Sequence, residues 1–562
     1  MRFLSVALLS CLSVSAFADL RYSLSVDVPA QSVRVSLELE AKTGANDFSI
    51  PAWCPGFYTI KNYQNKLSDF RVRRSSGAEL PARKSGERTW KVTLESPETI
   101  TISYRVLGDD NGLGFFGTQV DGKHAFVNGP SAFVYPEGRL SEKCTLKITT
   151  PTGWETATAM TASPNGIFTS INYDELIDHP IQLGQMSRKS FSVANIPFEV
   201  VVASPIARYP NMEALAASLS LTSVPAIRLF GGAPFKKYLY IIHLAVGDFA
   251  GGLEHRACNV IATQFENPLE LGTLASHEYF HAWNVKQIRP KLLGPFDYSK
   301  QVRTKNLWFS EGVTDYYAHM LHYAAGQMGE SELLSAMGYQ IDELQSGRTR
   351  RTKTLEDACL QTWESGGFGF GDLSYYTKGL LCGWILDAAI LEATNGEQSL
   401  DDVMRLLYGK HVLPKPGFEE DDIRLAVNQV AGKDLASLYN TLVRSTEELP
   451  YERLRAIGLE VLPQNSASED FGFDVDRQAT VCEVLPQVSA MGLLVGDEIK
   501  ELDGKPFDSK NWRDEDSTAY SARVVRNGLP LSLNLRKVIV PSPFVRVRKI
   551  SEPSERAKRL YS

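Results

Sequence analysis

His277-Glu278-Tyr279-Phe280-His281 is the stretch on which the reading of this chain turns. Imidazoles at i and i+4 leave the same face of a helix, so both can reach one ion, while Glu278 points beside it. Neutral imidazoles suit zinc, and a carboxylate next to an open coordination position can take a proton from a bound water. This is the mechanical content of the H-E-x-x-H pattern. A structural zinc takes four protein ligands, whereas a catalytic one takes three and keeps a position open, so a third ligand is sought downstream. Trp308-Phe309-Ser310-Glu311-Gly312-Val313-Thr314-Asp315-Tyr316-Tyr317 supplies it. On a helix Glu311 and Asp315 share a face, so Glu311 can bind the metal while Asp315 accepts the second ring N–H of a ligand histidine. The plain alternative is a solvated acidic face, but two unpaired carboxylates in so aromatic a setting would be costly to bury. The expectation is one Zn2+ per chain on His277, His281 and Glu311, with Glu278 as the base.

Around this helix the chain changes character twice. With 562 residues it exceeds what one hydrophobic core usually supports, and two to four domains are expected. From Leu20 to Val202 short alternating runs such as Tyr22 to Val26, Val33 to Leu37 and Thr99 to Tyr104 are separated by Gly, Pro, Asn and Asp turns, which predicts an antiparallel β-domain. From Pro210 to Pro450 a strand-like run, Tyr238 to Val246, precedes helical patterns such as Leu307 to Met328 and Leu380 to Leu391. From Gly458 to Val540 short strands return. The fold class is therefore multidomain α+β. The predicted boundaries are 1–18, 19–202, 203–455, 456–542 and a tail at 543–562.

Residues 1–18 read as a signal peptide: Arg2, an apolar run from Phe3 to Val14, then the small-x-small Ala16-Phe17-Ala18, with cleavage expected after Ala18. Export to the periplasm or the extracellular space follows. Leu8-Leu9-Ser10-Cys11 offers the alternative of a lipid anchor on Cys11, and a short buried helix is the plain one. No other apolar stretch approaches the roughly 20 residues that span a bilayer, so no integral membrane segment is expected. A net charge of −7 gives no electrostatic case for nucleic acid, and the basic stretch Arg556 to Arg559 reads as a solvated end. The six cysteines beyond the leader (Cys54, Cys144, Cys258, Cys359, Cys382, Cys482) contain no C-x-x-C pair and form neither a zinc motif nor a dense disulfide framework.

The H-E-x-x-H helix followed by a later Glu-Gly with aromatic flanks resembles the gluzincin metallopeptidases, with their thermolysin-like, mainly α catalytic domain. The longer stretches His277 to Lys286, Trp308 to Gly312 and Pro51-Ala52-Trp53-Cys54-Pro55-Gly56-Phe57-Tyr58 resemble the M61 glycyl aminopeptidases in particular. That resemblance implies an aminopeptidase acting on peptides with a free N-terminus, with a preference for glycine or alanine there. Gly251-Gly252-Leu253-Glu254-His255 is similar to the Gly-x-Met-Glu-Asn element of related aminopeptidases, which implies that Glu254 binds the α-amine while Gly251 and Gly252 let the backbone approach the peptide. His255 stands where those relatives have asparagine, and the plain reading is a tight turn with an exposed glutamate. Ser374-Tyr375-Tyr376-Thr377-Lys378-Gly379 is similar to the Tyr-x-Lys-Gly element whose tyrosine donates to the oxyanion. Register points to Tyr376, with Tyr375, or neither, as alternatives. The remaining histidines (His124, His179, His243, His319, His322, His411) read as ordinary core or surface residues.

Phe471-Gly472-Phe473, with Met491 to Asp497 and Asp503-Gly504 after it, resembles a PDZ domain of the bacterial protease type. The resemblance implies a φ-Gly-φ loop that offers backbone N–H groups to a peptide C-terminus. A structural module packed beside the catalytic domain is the alternative. Two rival functions stay open at this level: a zinc endopeptidase with the same chemistry, and a non-catalytic peptide-binding protein with a vestigial site.

Overall fold

Strand formation in the first third follows from period-two burial. Leu20, Tyr22 and Leu24, then Val33, Val35, Leu37 and Leu39, then Ile100, Ile102, Tyr104 and Val106 all point into one core, with polar residues between them. In this computed structural model, which describes residues 19–110, 116–204, 209–244, 250–263, 271–463, 467–475, 478–509, 512, 517–541, 545–551 and 553, the strands Leu20–Asp27, Ser32–Ala41, Glu98–Leu107 and Leu67–Arg74 lie side by side in an eight-stranded sheet. Its pairs are antiparallel except Leu20–Asp27 with Cys144–Thr149, which is parallel. Two four-stranded sheets complete this β-region. The predicted signal peptide, including Cys11, and the basic stretch Arg556 to Arg559 lie outside the described residues.

The chain forms two compact units, one running to Glu460 and rejoined at Lys549, the other Val461–Arg548. The β-region and the helical region therefore belong to one unit, and the sequence boundary at residue 202 cuts through a sheet. β1 (Ser187–Val193) and β2 (Ile196–Ala203) pair with β3 (Tyr238–Leu244), which is followed by β4 (Gly251–Glu254) and β5 (Cys258–Thr263), in the spatial order β1-β2-β3-β5-β4. Val200, Val201 and Val202 are all fully buried, as in a strand covered on both faces. β2 and β3 are parallel, so a crossover is required, and helix α1 (Met212–Phe230) provides it. The Asn211 side chain caps α1 by accepting the N–H groups of Glu213 and Ala214. The edge strand β4 runs antiparallel to β5.

Helices α2 (Gly272–Phe280), α3 (Val313–Ala324) and α4 (Tyr375–Thr394) form the body beside this sheet. α4 is buried on nearly every side, which explains why its sequence shows little amphipathic stripe. Within the helical pattern of Leu307 to Met328, Trp308–Gly312 makes a π-helical turn before α3 begins. α4 crosses that turn backbone to backbone. A Cβ on Gly312 would lie 2.5 Å from the Gly379 Cα, and one on Gly379 would lie 2.6 Å from the Trp308 carbonyl oxygen. Among the described residues no helix is long and apolar enough to cross a membrane, and the six cysteines form no disulfide.

The C-terminal unit is a small β-domain. Lys505–Pro506, Glu498–Leu502, Ala519–Arg526 and Leu529–Arg536 form its largest sheet, around a core that includes Phe471, Phe473, Val488, Ile499 and Val524. The Arg526 guanidinium grips the fully buried Asp497 through two bonds of 2.7 Å.

Candidate active site

The two histidines of α2 are oriented before any ion is considered. His277 Nδ1 lies 2.9 Å from Asp315 Oδ1, and His281 Nδ1 lies 2.6 Å from the backbone oxygen of Asn284. Both acceptors require an N–H, so each ring carries its proton on Nδ1 and presents the lone pair of Nε2. The second acceptor is brought back by widened turns after α2, where the N–H groups of Lys286 and Ile288 reach five residues back to His281 and Trp283. The Asn284 side chain in turn donates to the Phe309 carbonyl oxygen at 2.8 Å, tying α2 to the π-turn.

These lone pairs converge on a third acceptor. Glu311 Oε2 lies 3.2 Å from His281 Nε2 and 3.6 Å from His277 Nε2, and the two Nε2 atoms are 2.9 Å apart. Two ligands held about 2.0–2.1 Å from one ion at a tetrahedral angle stand about 3.3 Å apart, so the triangle fits a zinc-sized cation. Three buried acceptors facing one another without a cation would be strongly unfavourable, which makes the donor set itself the argument for a metal. The π-turn and the Gly312–Gly379 contact set the position of Glu311, a geometric detail with no counterpart in the motif.

Glu278 stands beside the triad at 5% exposure. Burial is the largest influence on its carboxyl, and with Glu254 and Glu311 nearby it is pushed up to about 7 despite the two histidines. The edge strand presses on it: a Cβ at Gly252 would lie 2.3 Å from Glu278 Cδ. Tyr376 enters from the first turn of α4, which the Ser374 hydroxyl caps by accepting the Tyr376 and Thr377 N–H groups. Its ring lies 5.9 Å from that of His277. Burial and the Glu311 carboxylate push its phenol well above the ordinary value, so it remains a donor. Tyr375 is turned away, fully buried, with its hydroxyl donating to the Gly367 carbonyl oxygen.

Glu254, at the end of β4, is only 4% exposed, so the exposed-turn alternative does not hold. Its carboxylate and those of the triad's neighbourhood are close: one donor atom each of Glu254, Glu278 and His281 lie within 4.8 Å of one another. Behind it Lys286 Nζ sits 3.5 Å from Glu254 Oε1 and 3.1 Å from Asp178 Oδ1. His255, the departure from the aminopeptidase pattern, places Nδ1 3.2 Å from the same Asp178 oxygen. The Arg256 N–H donates to Asp178 Oδ2 at 3.0 Å. Above it lies Gly56, at φ 91°, where a Cβ would be 2.6 Å from Glu254 Oε2. Lys286, Asp178 and Gly56 were not singled out in the sequence because their partners lie far along the chain. Gly251, Gly252, Glu254, His277, Glu278, His281, Glu311, Asp315 and Tyr376 all line one cleft of about 430 Å³.

The other predicted loop belongs to the C-terminal unit. Phe471 and Phe473 are each 2% exposed within its core, and the Gly472 N–H donates to Asp470 Oδ1 at 2.9 Å. The backbone donor is therefore already engaged by the chain's own carboxylate. Of the histidines read as ordinary, His243 is buried against Gln182 Oε1 at 2.8 Å, and His319 bonds the Asp315 backbone oxygen at 2.9 Å.

Comparison with known proteins adds a family-level likeness. Residues 21–185 match the Peptidase M61 N-terminal domain and residues 270–382 match the M61 glycyl aminopeptidase family. No curated protein matches. Among solved structures, an aminopeptidase N family protein from Idiomarina loihiensis is 23% identical, with 96% of this chain and 100% of that chain covered at a TM-score of 0.81. An M1 zinc metallopeptidase from Deinococcus radiodurans is 15% identical over 78% of this chain and 96% of that chain, with a TM-score of 0.50. A variant of the latter has been seen bound to a Tyr-Ser-Ala substrate. At these identities the likeness speaks for a shared fold.

Proposed function

We propose that this chain is a zinc-dependent aminopeptidase that removes one residue at a time from peptides with a free N-terminus. The observation that carries the reading is the placement of Glu254 within 4.8 Å of Glu278 and His281. In a peptide the α-nitrogen and the first carbonyl carbon are only about 2.5 Å apart. A carboxylate so close to the base can pair with the ammonium of the residue whose carbonyl is being attacked. Gly56 packs against that carboxylate and Lys286 stands behind it, an arrangement that suits an ammonium better than a continuing peptide chain and favours the aminopeptidase over the endopeptidase reading.

His277, His281 and Glu311 would hold the zinc, which when bound supplies a Lewis acid and lowers the pKa of water to about 7. The protein groups divide the remaining work. Glu254 orients the ammonium. Glu278, buried beside the triad, takes the proton of the attacking water and passes it to the leaving amine. Tyr376 donates its hydroxyl hydrogen to the carbonyl oxygen as charge develops there. The test is a matched pair of dipeptide amides, free and N-acetylated, assayed with and without a chelator and with Glu278→Gln. Chelator-sensitive cleavage of the free amine alone supports the reading, and equal cleavage of both would remove Glu254 as the anchor. Retained activity in Glu278→Gln with zinc bound would remove Glu278 as the base.

Two further readings belong here. The leader at 1–18 supports export, and a mature N-terminus at Asp19 by mass spectrometry would establish it. The C-terminal unit we read as a PDZ-like module that serves structure, because Gly472 is already bonded to Asp470. Backbone NMR shifts at residues 471–473 on adding peptides with free C-termini would overturn that role.

A further inference from the structure

One large apolar side chain lies more than half open on the wall of the cleft. Phe368 is 53% exposed. It is held there by its neighbours: Gly367, Gly369 and Gly371 have φ of 100°, 151° and 61°. Side chains at two of them would collide, with the Leu373 carbonyl oxygen at 2.2 Å from Gly369 and with Thr349 Oγ1 at 2.7 Å from Gly371. The backbone on either side of Phe368 is thus fixed in a shape that holds the ring at the cleft.

The rings connect in order. The Tyr376 centroid lies 5.9 Å from His277 and 6.1 Å from Phe368, Phe368 lies 6.2 Å from Phe57, and Phe57 stacks on Phe116 at 4.0 Å. Lys61 Nζ sits 4.6 Å and 4.8 Å from the last two rings and buttresses their stack. Gly56, next to Phe57, touches Glu254. The wall therefore starts at a metal ligand and ends at the amine anchor. A residue with its carbonyl at the triad and its ammonium on Glu254 has these rings as the aromatic wall for its side chain, in a cleft that Leu274, Gln340 and Glu343 also line.

We infer that Phe57 and Phe368, with Phe116 behind them, form the recognition pocket for the first side chain, and that the preferred substrates begin with an aromatic or large aliphatic residue. The inference rests on the aminopeptidase reading above and departs from the glycine or alanine preference implied by family resemblance. The chemistry is apolar contact: a hydrogen atom in place of a side chain leaves the exposed ring wet, whereas a phenyl or isobutyl group covers it.

The test uses the full chain, loaded with zinc, on aminoacyl-coumarin amides of Gly, Ala, Leu and Phe. The expected result is kcat/KM for Phe and Leu about tenfold or more above Gly, in line with what apolar pockets discriminate. Phe368→Ala should lower the Phe/Gly ratio by about fivefold or more, and Phe57→Leu, which keeps the stack on Phe116 filled, should lower it too. Glycine or alanine as the best substrate, or an unchanged ratio in both variants, would overturn the inference while leaving the aminopeptidase reading intact. Silence with every amide would sink both.

Discussion

Gly252→Ala is the sharpest perturbation this site offers. Its new methyl would lie 2.3 Å from Glu278 Cδ and 2.4 Å from both Cγ and Oε1. Carbon atoms in contact rest about 3.5–4.0 Å apart, so one side must retreat by more than about 1 Å. The strand is poorly placed to do so, because Gly252 is paired with Ile261 and the adjacent Leu253 is 1% exposed. The carboxylate moves instead, and a displacement of about 1 Å at a reacting group costs about 100-fold. That corresponds to about 2.7 kcal/mol in the barrier. The metal triad is not touched, so zinc per chain by elemental analysis should equal that of wild type, and the loss should appear in kcat more than in KM. Gly409→Ala, where nothing lies within 4 Å of the new methyl, controls for a generic glycine effect. A Gly252→Ala enzyme within threefold of wild type in kcat/KM would refute the assignment of Glu278 as the positioned base.

Asp315→Ala removes the acceptor that fixes the His277 tautomer, and zinc affinity by competitive chelation should fall about 10- to 100-fold. Lys286→Met leaves Glu254 and Asp178 buried without their shared cation; KM for free-amine substrates should rise, with partial rescue in Lys286→Arg, and an unchanged KM would detach Lys286 from amine binding. Asp387, on α4, accepts the Tyr316 hydroxyl of α3, and burial pushes its carboxyl up to about 6. The folded state thus holds this proton more tightly than the unfolded one, so its contribution is favourable at low pH and is lost as pH rises from about 4 to 6. Denaturant unfolding should show Asp387→Asn gaining, relative to wild type, roughly 2.4 kcal/mol between pH 4 and pH 7.

Legibility in the sequence followed the range of the interaction. His277, Glu278 and His281 are separated by helical spacing, so their shared face could be read directly, and Asp315 could be placed because it shares a helix face with Glu311. Tyr376 was reached only through the resemblance of Ser374 to Gly379 to the Tyr-x-Lys-Gly element, and the Ser374 cap at the start of α4 emerges from the structure. What was hidden depends on distant pairs. Lys286 meets Asp178 across 108 residues, and no local pattern announces it. His255 looked like a flaw in the amine-binding element, yet its partner is that same Asp178. The sheet that crosses residue 202 was hidden for a related reason: Ile196–Ala203 looks like one more strand of the preceding series until its parallel partner Tyr238–Leu244 is known.

The working groups of this site are each set by a glycine on another segment, and the three contacts act on separable steps. Gly252 presses on Glu278, the proposed proton carrier; Gly56 presses on Glu254, the proposed amine anchor; Gly312 and Gly379 bring the turn of Glu311 against the helix of Tyr376. A side chain at any of them would force two backbones, or a backbone and a carboxylate, apart. The catalytic side chains could in principle be supplied by many folds, but their spacing here depends on how closely β4, the Pro55–Gly56 turn, the π-turn and α4 approach one another. The H-E-x-x-H helix therefore defines the chemistry available, while the glycines on its neighbours define where a substrate must lie to use it.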